Sequence, residues 1–185
     1  MGGVWGVATH PRARRRGICR QVLSRLLASM RDSGQVLSGL YPFRESFYER
    51  LGYVSFPQLR KATFSPLRCV SLLDRQIEGD VELLVVGDGL DLYREIVRQL
   101  QRTTHGMALI DVLSIPASRR ESSWLAVARV RGEPAGVLLY DLKGENVADF
   151  TMRAYRLYAL SSQARYLLLQ WIARHADQAS SCEST

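Results

Sequence analysis

Several residue types and patterns are scarce in this chain, and each shortage removes a class of protein. Cysteine occurs three times in 185 residues, at Cys19, Cys69 and Cys182. That number is odd and the spacings are long, so no disulfide frame is expected, and no C-x-x-C pair offers a zinc site. The three histidines are scattered as well, so no metal centre is expected. No apolar run approaches the roughly 20 residues needed to cross a bilayer, and the N-terminus lacks a charged stretch followed by an apolar one. Met1-Gly2-Gly3 opens like a myristoylation signal, but Gly6 stands where serine or threonine is required. These absences lead us to expect a cytoplasmic protein with no membrane partner. Acidic residues are outnumbered, 18 against 25 basic ones, and the net charge of +7 favours an anionic partner: a phosphorylated ligand, a nucleic acid or an acidic surface.

What is present suits a globular chain. Hydrophobic residues make up 46% and charged residues 23%, enough apolar material for a core, and the length allows one domain or two small ones. Val4 to Thr9 reads as a short buried strand ended by Pro11. Ile18, Cys19, Val22, Leu23, Leu26, Leu27 and Met30 recur at three- and four-residue spacing, which predicts a helix, and Gly34 is its natural stop. Val36 to Leu40 follows as a second strand, so a strand, helix, strand unit with parallel strands is predicted. Glu45 to Leu51 suits a short helix, stopped at Gly52 before Tyr53 to Phe56 extends again. Pro57 and Pro66 bracket a connector. Farther on, Leu90 to Gln101 is predicted helical. Trp124 to Val130 and Ala135 to Leu142 flank Arg131-Gly132-Glu133-Pro134 as a hairpin. Leu157 to Leu160 extends, and Ser161 or Ser162 caps a last helix with Ala164, Leu167, Leu168, Trp171 and Ile172 on its apolar stripe. Helices and strands alternate, which gives an α/β or α+β class.

The chemistry concentrates between Val7 and Arg20. A strand (Val7, Ala8, Thr9) runs through a cationic turn into a helix whose first turn begins beside a glycine. The N-terminus of a helix leaves backbone N–H groups unpaired and carries roughly half a positive charge, so it attracts phosphate. Gly17 removes the side chain that would hold a diphosphate off those amides. Arg14, Arg15 and Arg16 add planar guanidinium donors that match phosphate oxygens. In isolation an arginine run is a solvated turn and Tyr48 a core aromatic. Gly17, the arginines and the amphipathic helix starting at Ile18 together look built for a diphosphate. Cys19 reads as a packing residue on the helix face, since no histidine partners it.

These residues resemble a known family. Arg14-Arg15-Arg16-Gly17-Ile18-Cys19 is similar to the acetyl-CoA signature [RQ]-x-x-G-x-[GA] of the Gcn5-related N-acetyltransferases (GNAT), with Cys19 departing from the usual small last residue. Phe47-Tyr48-Glu49-Arg50-Leu51-Gly52-Tyr53 is similar to the family's F-Y-x-x-x-G-[FY] segment. The resemblance implies an acyl-CoA N-acyltransferase fold, acetyl-CoA held by Val7, Ala8, Thr9, Arg14, Arg15, Arg16, Gly17 and Ile18, and Tyr48 as the acid that protonates the departing sulfur. No general base stands out: His10, Glu45 and Glu49 are near only in sequence.

A wider resemblance runs through Leu40-Tyr41-Pro42, Phe56 to Ala62, His105-Gly106-Met107, Gly132 to Gly136 and His175 to Gln178. It is to the Eis-type (enhanced intracellular survival) acetyltransferases, which carry two acetyltransferase-like domains in tandem. It implies residues 1–66 as the C-terminal half of a first domain that holds the coenzyme. Residues 67–185 would then be a second, degenerate copy, in which Ser161-Ser162-Gln163-Ala164 has neither arginines nor glycine to bind a diphosphate. The acceptor implied is a primary amine on lysine, a polyamine or an aminoglycoside-like cation, and the full-length family implies a homo-oligomer. Two other readings compete. One is an inactive fragment that retains a binding or assembly role. The other is a nucleic-acid module using the same arginines, disfavoured because no basic and aromatic interleaving and no reading helix appear.

Overall fold

The computed structural model describes residues 1–56, 60–104, 122–146 and 149–184. The His105-Gly106-Met107 segment and Pro57 to Leu59 of the expected connector lie outside the described residues. The chain divides into two compact units, Met1–Gln58 and Leu59–Thr185.

In the first unit, β1 (Gly2–Val4) runs parallel to β2 (Ser38–Leu40), joined through α1 (Ile18–Asp32), and α2 (Glu45–Glu49) follows. The expected strand, helix, strand unit is therefore present, with parallel strands. Its first strand sits earlier than the Val4 to Thr9 reading placed it, because Gly6 takes a left-handed backbone (φ +65°) that takes the chain out of extended geometry. The second strand is also shorter than expected: Val36 and Leu37 lie outside it and are exposed. Tyr53 to Phe56 forms no strand. α1 ends as glycine permits: Gly34 at φ +75° sends its N–H to the Arg31 carbonyl and Gln35 sends its own to that of Met30, both at 2.9 Å. The unit's small core gathers Val4, Leu23 and Tyr48, with Cys19, Met30, Leu40 and Phe47 packed against them.

The second unit holds six strands, β3 (Ala62–Phe64), β4 (Asp80–Val85), β5 (Trp124–Val130), β6 (Glu133–Asn146), β7 (Asp149–Ala159) and β8 (Ala179–Ser184), in the order β3-β8-β7-β6-β5-β4. The pairings are antiparallel except β7 with β8, which is parallel and spanned by α4 (Ser162–Ala173). This mixed sheet agrees with the α/β class. Strand β7, helix α4 and strand β8 repeat the order and parallel sense of β1, α1 and β2. Ala62–Phe64, expected to lie within a connector, is an edge strand paired to β8. Three residues are too short to show alternation in the sequence, and their pairing with β8 defines them.

Alternation along β5 sorts its side chains to the two faces of the sheet. Ala126 and Ala128 join Leu138, Met152 and Ala154 in a core with Leu167, Leu168 and Ile172 of α4. Leu125 and Val127 join Val137 in another core with Leu90, Tyr93, Ile96 and Val97 of α3 (Val86–Gln101). The β5–β6 hairpin turns tightly at Arg131 and Gly132 (φ +56° and +82°), so Glu133 and Pro134 already belong to β6. Trp124 and Trp171 pack partly buried against the α4-side core.

Cys182 on β8 is fully buried, and burial pushes its thiol from an ordinary 9.0 up to about 12. A raised folded-state value favours the protonated form. Its contribution to stability is therefore complete below about pH 9 and is lost as pH rises toward 12. We expect thiol titration of the folded protein at pH 8 to leave Cys182 unreacted until denaturant is added. Its reaction at the rate of an exposed thiol would show that β8 is not held in the sheet.

Candidate cofactor-binding site

The segment between β1 and α1 is shaped by a few local interactions. Pro11–Ala13 forms a single 3-10 turn, started by His10, whose Nδ1 accepts the Arg12 N–H at 3.3 Å. His10 is thereby occupied as a cap. Arg14 folds back and donates from Nε to the Thr9 carbonyl at 3.2 Å. Arg15 adopts a left-handed backbone (φ +60°), rare for a residue with a Cβ, and Gly17 a second one (φ +74°, ψ 0°) at the N-cap of α1. These two reversals turn the chain into the helix. The Gly17 carbonyl accepts the first helical bond, from Gln21 N–H at 3.1 Å, and no side chain caps the helix. The leading N–H groups of α1 thus keep their bonding capacity.

They face a cleft of about 640 Å³. Val7, Ala8 and Thr9 line it, as do Arg14, Arg15, Gly17 and Ile18, so seven of the eight residues expected to hold a coenzyme meet in one cavity. Arg16 is exposed and stands off the lining. No acidic side chain lines the cleft, whereas Arg14, Arg15 and Arg20 do. A Cβ built on Gly17 would meet nothing within 4 Å, so the space beside the helix terminus is open to a ligand. Phe43 and Phe47 add an aromatic wall, their rings 5.3 Å apart. Phe43 lies outside both motifs and the sequence reading missed it. Its spacing of four residues before Phe47 was the available signal.

Tyr48, which the resemblance implies as the acid, is a buried residue of α2. It is 3% exposed and does not line the cleft. Its ring lies against Phe43, Phe47 and Tyr53, with centroids 5.5, 5.1 and 6.0 Å away. Burial pushes its phenol above the ordinary value of 10.0, and the nearby Cys19 thiol and Tyr53 phenol add to that rise. Tyr53 itself is tied to β2, its hydroxyl 2.7 Å from Ser38 Oγ. Cys19, which lines the cleft, also packs on the cluster containing Tyr48 and so stands next to both. Glu45 and Glu49 are exposed on α2 and do not line the cleft.

The corresponding terminus of α4 in the second unit differs. Ser161, in an ordinary extended conformation, caps it with Oγ accepting the Ala164 N–H at 3.1 Å. One donor that a phosphate would use is already bonded there. Among the described residues no three His, Cys, Asp or Glu side chains gather as metal ligands, and no helix is long and apolar enough to cross a membrane.

Residues 1–55 match the acetyltransferase (GNAT) domain family. No curated protein matches the chain. Among solved structures, 98% of the chain superposes on 46% of a protein from Enterococcus faecalis described as a probable N-acyltransferase, at 21% identity and a TM-score of 0.79. It covers 44% of a Gcn5-related N-acetyltransferase from Kribbella flavida (21% identity, TM-score 0.70) and 47% of Eis1 from Mycobacterium abscessus (16% identity, TM-score 0.66). The chain spans less than half the length of each. The architecture is that of the acyl-CoA N-acyltransferases. The sequence match over residues 1–55 spans the residues that line the cleft.

Proposed function

We propose that the chain binds acetyl-CoA in the α1 cleft and transfers the acetyl group to a primary amine of a lysine, a polyamine or an aminoglycoside-like cation. The observation that carries this reading is the uncapped, glycine-led terminus of α1, opening on a cleft that contains three arginines and no carboxylate. The diphosphate accepts from the α1 amides and from Arg14 and Arg15, whose charges offset its own. Val7, Ala8 and Thr9 flank the arm that carries the thioester. The coenzyme supplies the activated acetyl group.

Tyr48 donates to the sulfur as negative charge develops on it. Reference values near 10 for a phenol and 8.5 for a thiol make full transfer uphill by about 2 kcal/mol. The raised Tyr48 value widens that gap, so hydrogen bonding to the sulfur outweighs complete proton transfer. Because the phenol stays protonated, turnover should show no alkaline loss from Tyr48 below pH 9. One observation favours a second reading, coenzyme binding without transfer: the burial of Tyr48 off the cleft lining.

Calorimetric titration with acetyl-CoA and thiol release with a polyamine and aminoglycoside panel separate the two. Transfer predicts that Tyr48→Phe lowers kcat roughly 10- to 100-fold, the value of one hydrogen bond to a charged atom, with acetyl-CoA affinity unchanged. Full turnover in Tyr48→Phe removes the role given to that tyrosine. Binding without thiol release in the unaltered protein establishes the second reading.

A further inference from the structure

The second unit holds a groove of about 820 Å³ that nothing described so far uses, a volume ordinary for a ligand cleft. Its walls are α4 and the strap Leu73 to Gly79, which joins the 3-10 segment Pro66–Leu72 to β4. Two glutamines of α4, Gln163 and Gln170, lie on one stripe two turns apart, about 10 Å along the axis, and pin the strap. Gln170 donates from Nε2 to the Leu72 and Arg75 carbonyls at 2.6 and 2.9 Å, and Gln163 donates to the Glu78 carbonyl at 2.6 Å. Gly79, at φ +125°, closes the strap against Leu167 and the Arg129 carbonyl, where no Cβ would fit. The pins sort the charges along the groove. Arg75 stands at the Gln170 end with Arg174, one turn farther along the helix, and Glu78 and Asp80 stand at the Gln163 end.

A mixed set of surface charges is ordinarily a solvated rim whose members pair with one another. Here, among the described residues, none of these four side chains makes an ion pair or a hydrogen bond, although both signs line the same groove. Arg129, opposite Asp80 in register, is committed to Glu82 at 2.7 Å. A buried side chain also offers a free acceptor. Gln170 is 9% exposed, has both amide hydrogens engaged, and lines the groove with an Oε1 to which no described residue donates. Beside it the indole of Trp171, its Nε1 donating to the Tyr140 hydroxyl at 3.1 Å, and the side chains of Leu167 and Ile77 supply an apolar surface. We propose that this groove binds a short peptide with free ends, about three residues long. Its amine sits at Glu78 and Asp80, its carboxylate at Arg75 and Arg174, and a backbone N–H donates to Gln170 Oε1. An extended residue spans about 3.3 Å, so three cover the roughly 10 Å between the pins. The groove shares no residue with the α1 cleft, so the proposal stands apart from the coenzyme reading.

The test is calorimetric titration with the tripeptide Ala-Leu-Ala, its N-acetylated form and its C-amidated form, on the unaltered protein, Arg174→Ala and Glu78→Ala. Both residues are exposed, so the variants should fold, which circular dichroism checks. We expect the free peptide to bind saturably and either blocked form to bind at least about fivefold more weakly. Arg174→Ala should narrow the gap to the amidated form and keep the gap to the acetylated one, and Glu78→Ala should do the reverse. No saturation by the free peptide up to about 10 mM, equal binding of all three forms, or gaps that neither variant alters would overturn the proposal. Tighter binding of the amidated form would mark the groove as a cation site and would overturn it as well.

Discussion

Gly17→Val should abolish measurable acetyl-CoA binding while leaving α1 in place. Two effects act at once and are separable. First, φ of +74° is disfavoured for any residue with a Cβ and most of all for a branched one, costing roughly 1 to 3 kcal/mol of stability. Second, the new side chain would occupy the open space beside the helix terminus, where the Gly17 Cβ position has no neighbour within 4 Å. A diphosphate held off the terminus loses two or more hydrogen bonds to charged oxygens, each worth about 1.5 to 3 kcal/mol, so affinity should fall by roughly 10² to 10⁴. Gly34→Val supplies the control. Gly34 has nearly the same backbone (φ +75°) and equally open surroundings, but lies at the opposite end of α1. It should lose similar stability and keep its acetyl-CoA affinity. Equal affinity losses in the two variants would mean that strain in α1 accounts for the effect and that phosphate contact does not.

Asp141→Ala should be the most damaging single exchange in the second unit, costing about 3 kcal/mol. Asp141 on β6 faces Arg153 on β7 in register and accepts from its Nε at 2.7 Å and its Nη2 at 2.5 Å. It accepts a third bond from the Tyr155 hydroxyl at 2.6 Å. The carboxylate side chain is 9% exposed and that of Arg153 34%, so water replaces little of what is lost. Truncation leaves the guanidinium and the phenol without this acceptor. The Lys61–Glu183 pair, at 2.8 Å but with side chains 52% and 32% exposed, should contribute under 1 kcal/mol. Denaturant unfolding followed by Trp124 and Trp171, which lie in this unit, should show a large midpoint shift for Asp141→Ala and a small one for Lys61→Ala. Shifts of similar size would mean that partial burial does not set the strength of these pairs.

Much of this was legible in the sequence wherever a signal is local. The apolar stripes of α1 and α4 fixed both helices, because 3.6-residue periodicity needs only neighbouring residues. Arg131-Gly132-Glu133-Pro134 marked the β5–β6 hairpin, though the turn itself is tighter, and Ser161 or Ser162 marked the start of α4, which Ser161 caps. The cleft was legible for the same reason: Val7 to Ile18 is one continuous stretch, and all but one of the residues singled out in it line one cavity. Strand β8 was not legible. Ala179-Ser-Ser-Cys-Glu-Ser has no branched or aromatic residue to favour extension, and pairing with β3 and β7 on either side defines it. The burial of Tyr48 was also hidden, since it depends on Phe43, Phe47 and Tyr53 closing around one ring. Arg16, the third of a run, was assigned to the cleft by adjacency alone, and a turn with two left-handed residues sends neighbouring side chains in different directions.

Amide hydrogen exchange, measured with and without saturating acetyl-CoA, tests most directly whether the first turn of α1 is the phosphate cradle. The account predicts slowed exchange at residues 17–20 and unchanged exchange at residues 162–165, where Ser161 already caps α4. Saturable binding that leaves residues 17–20 unprotected, or protects the start of α4 in their place, would contradict it.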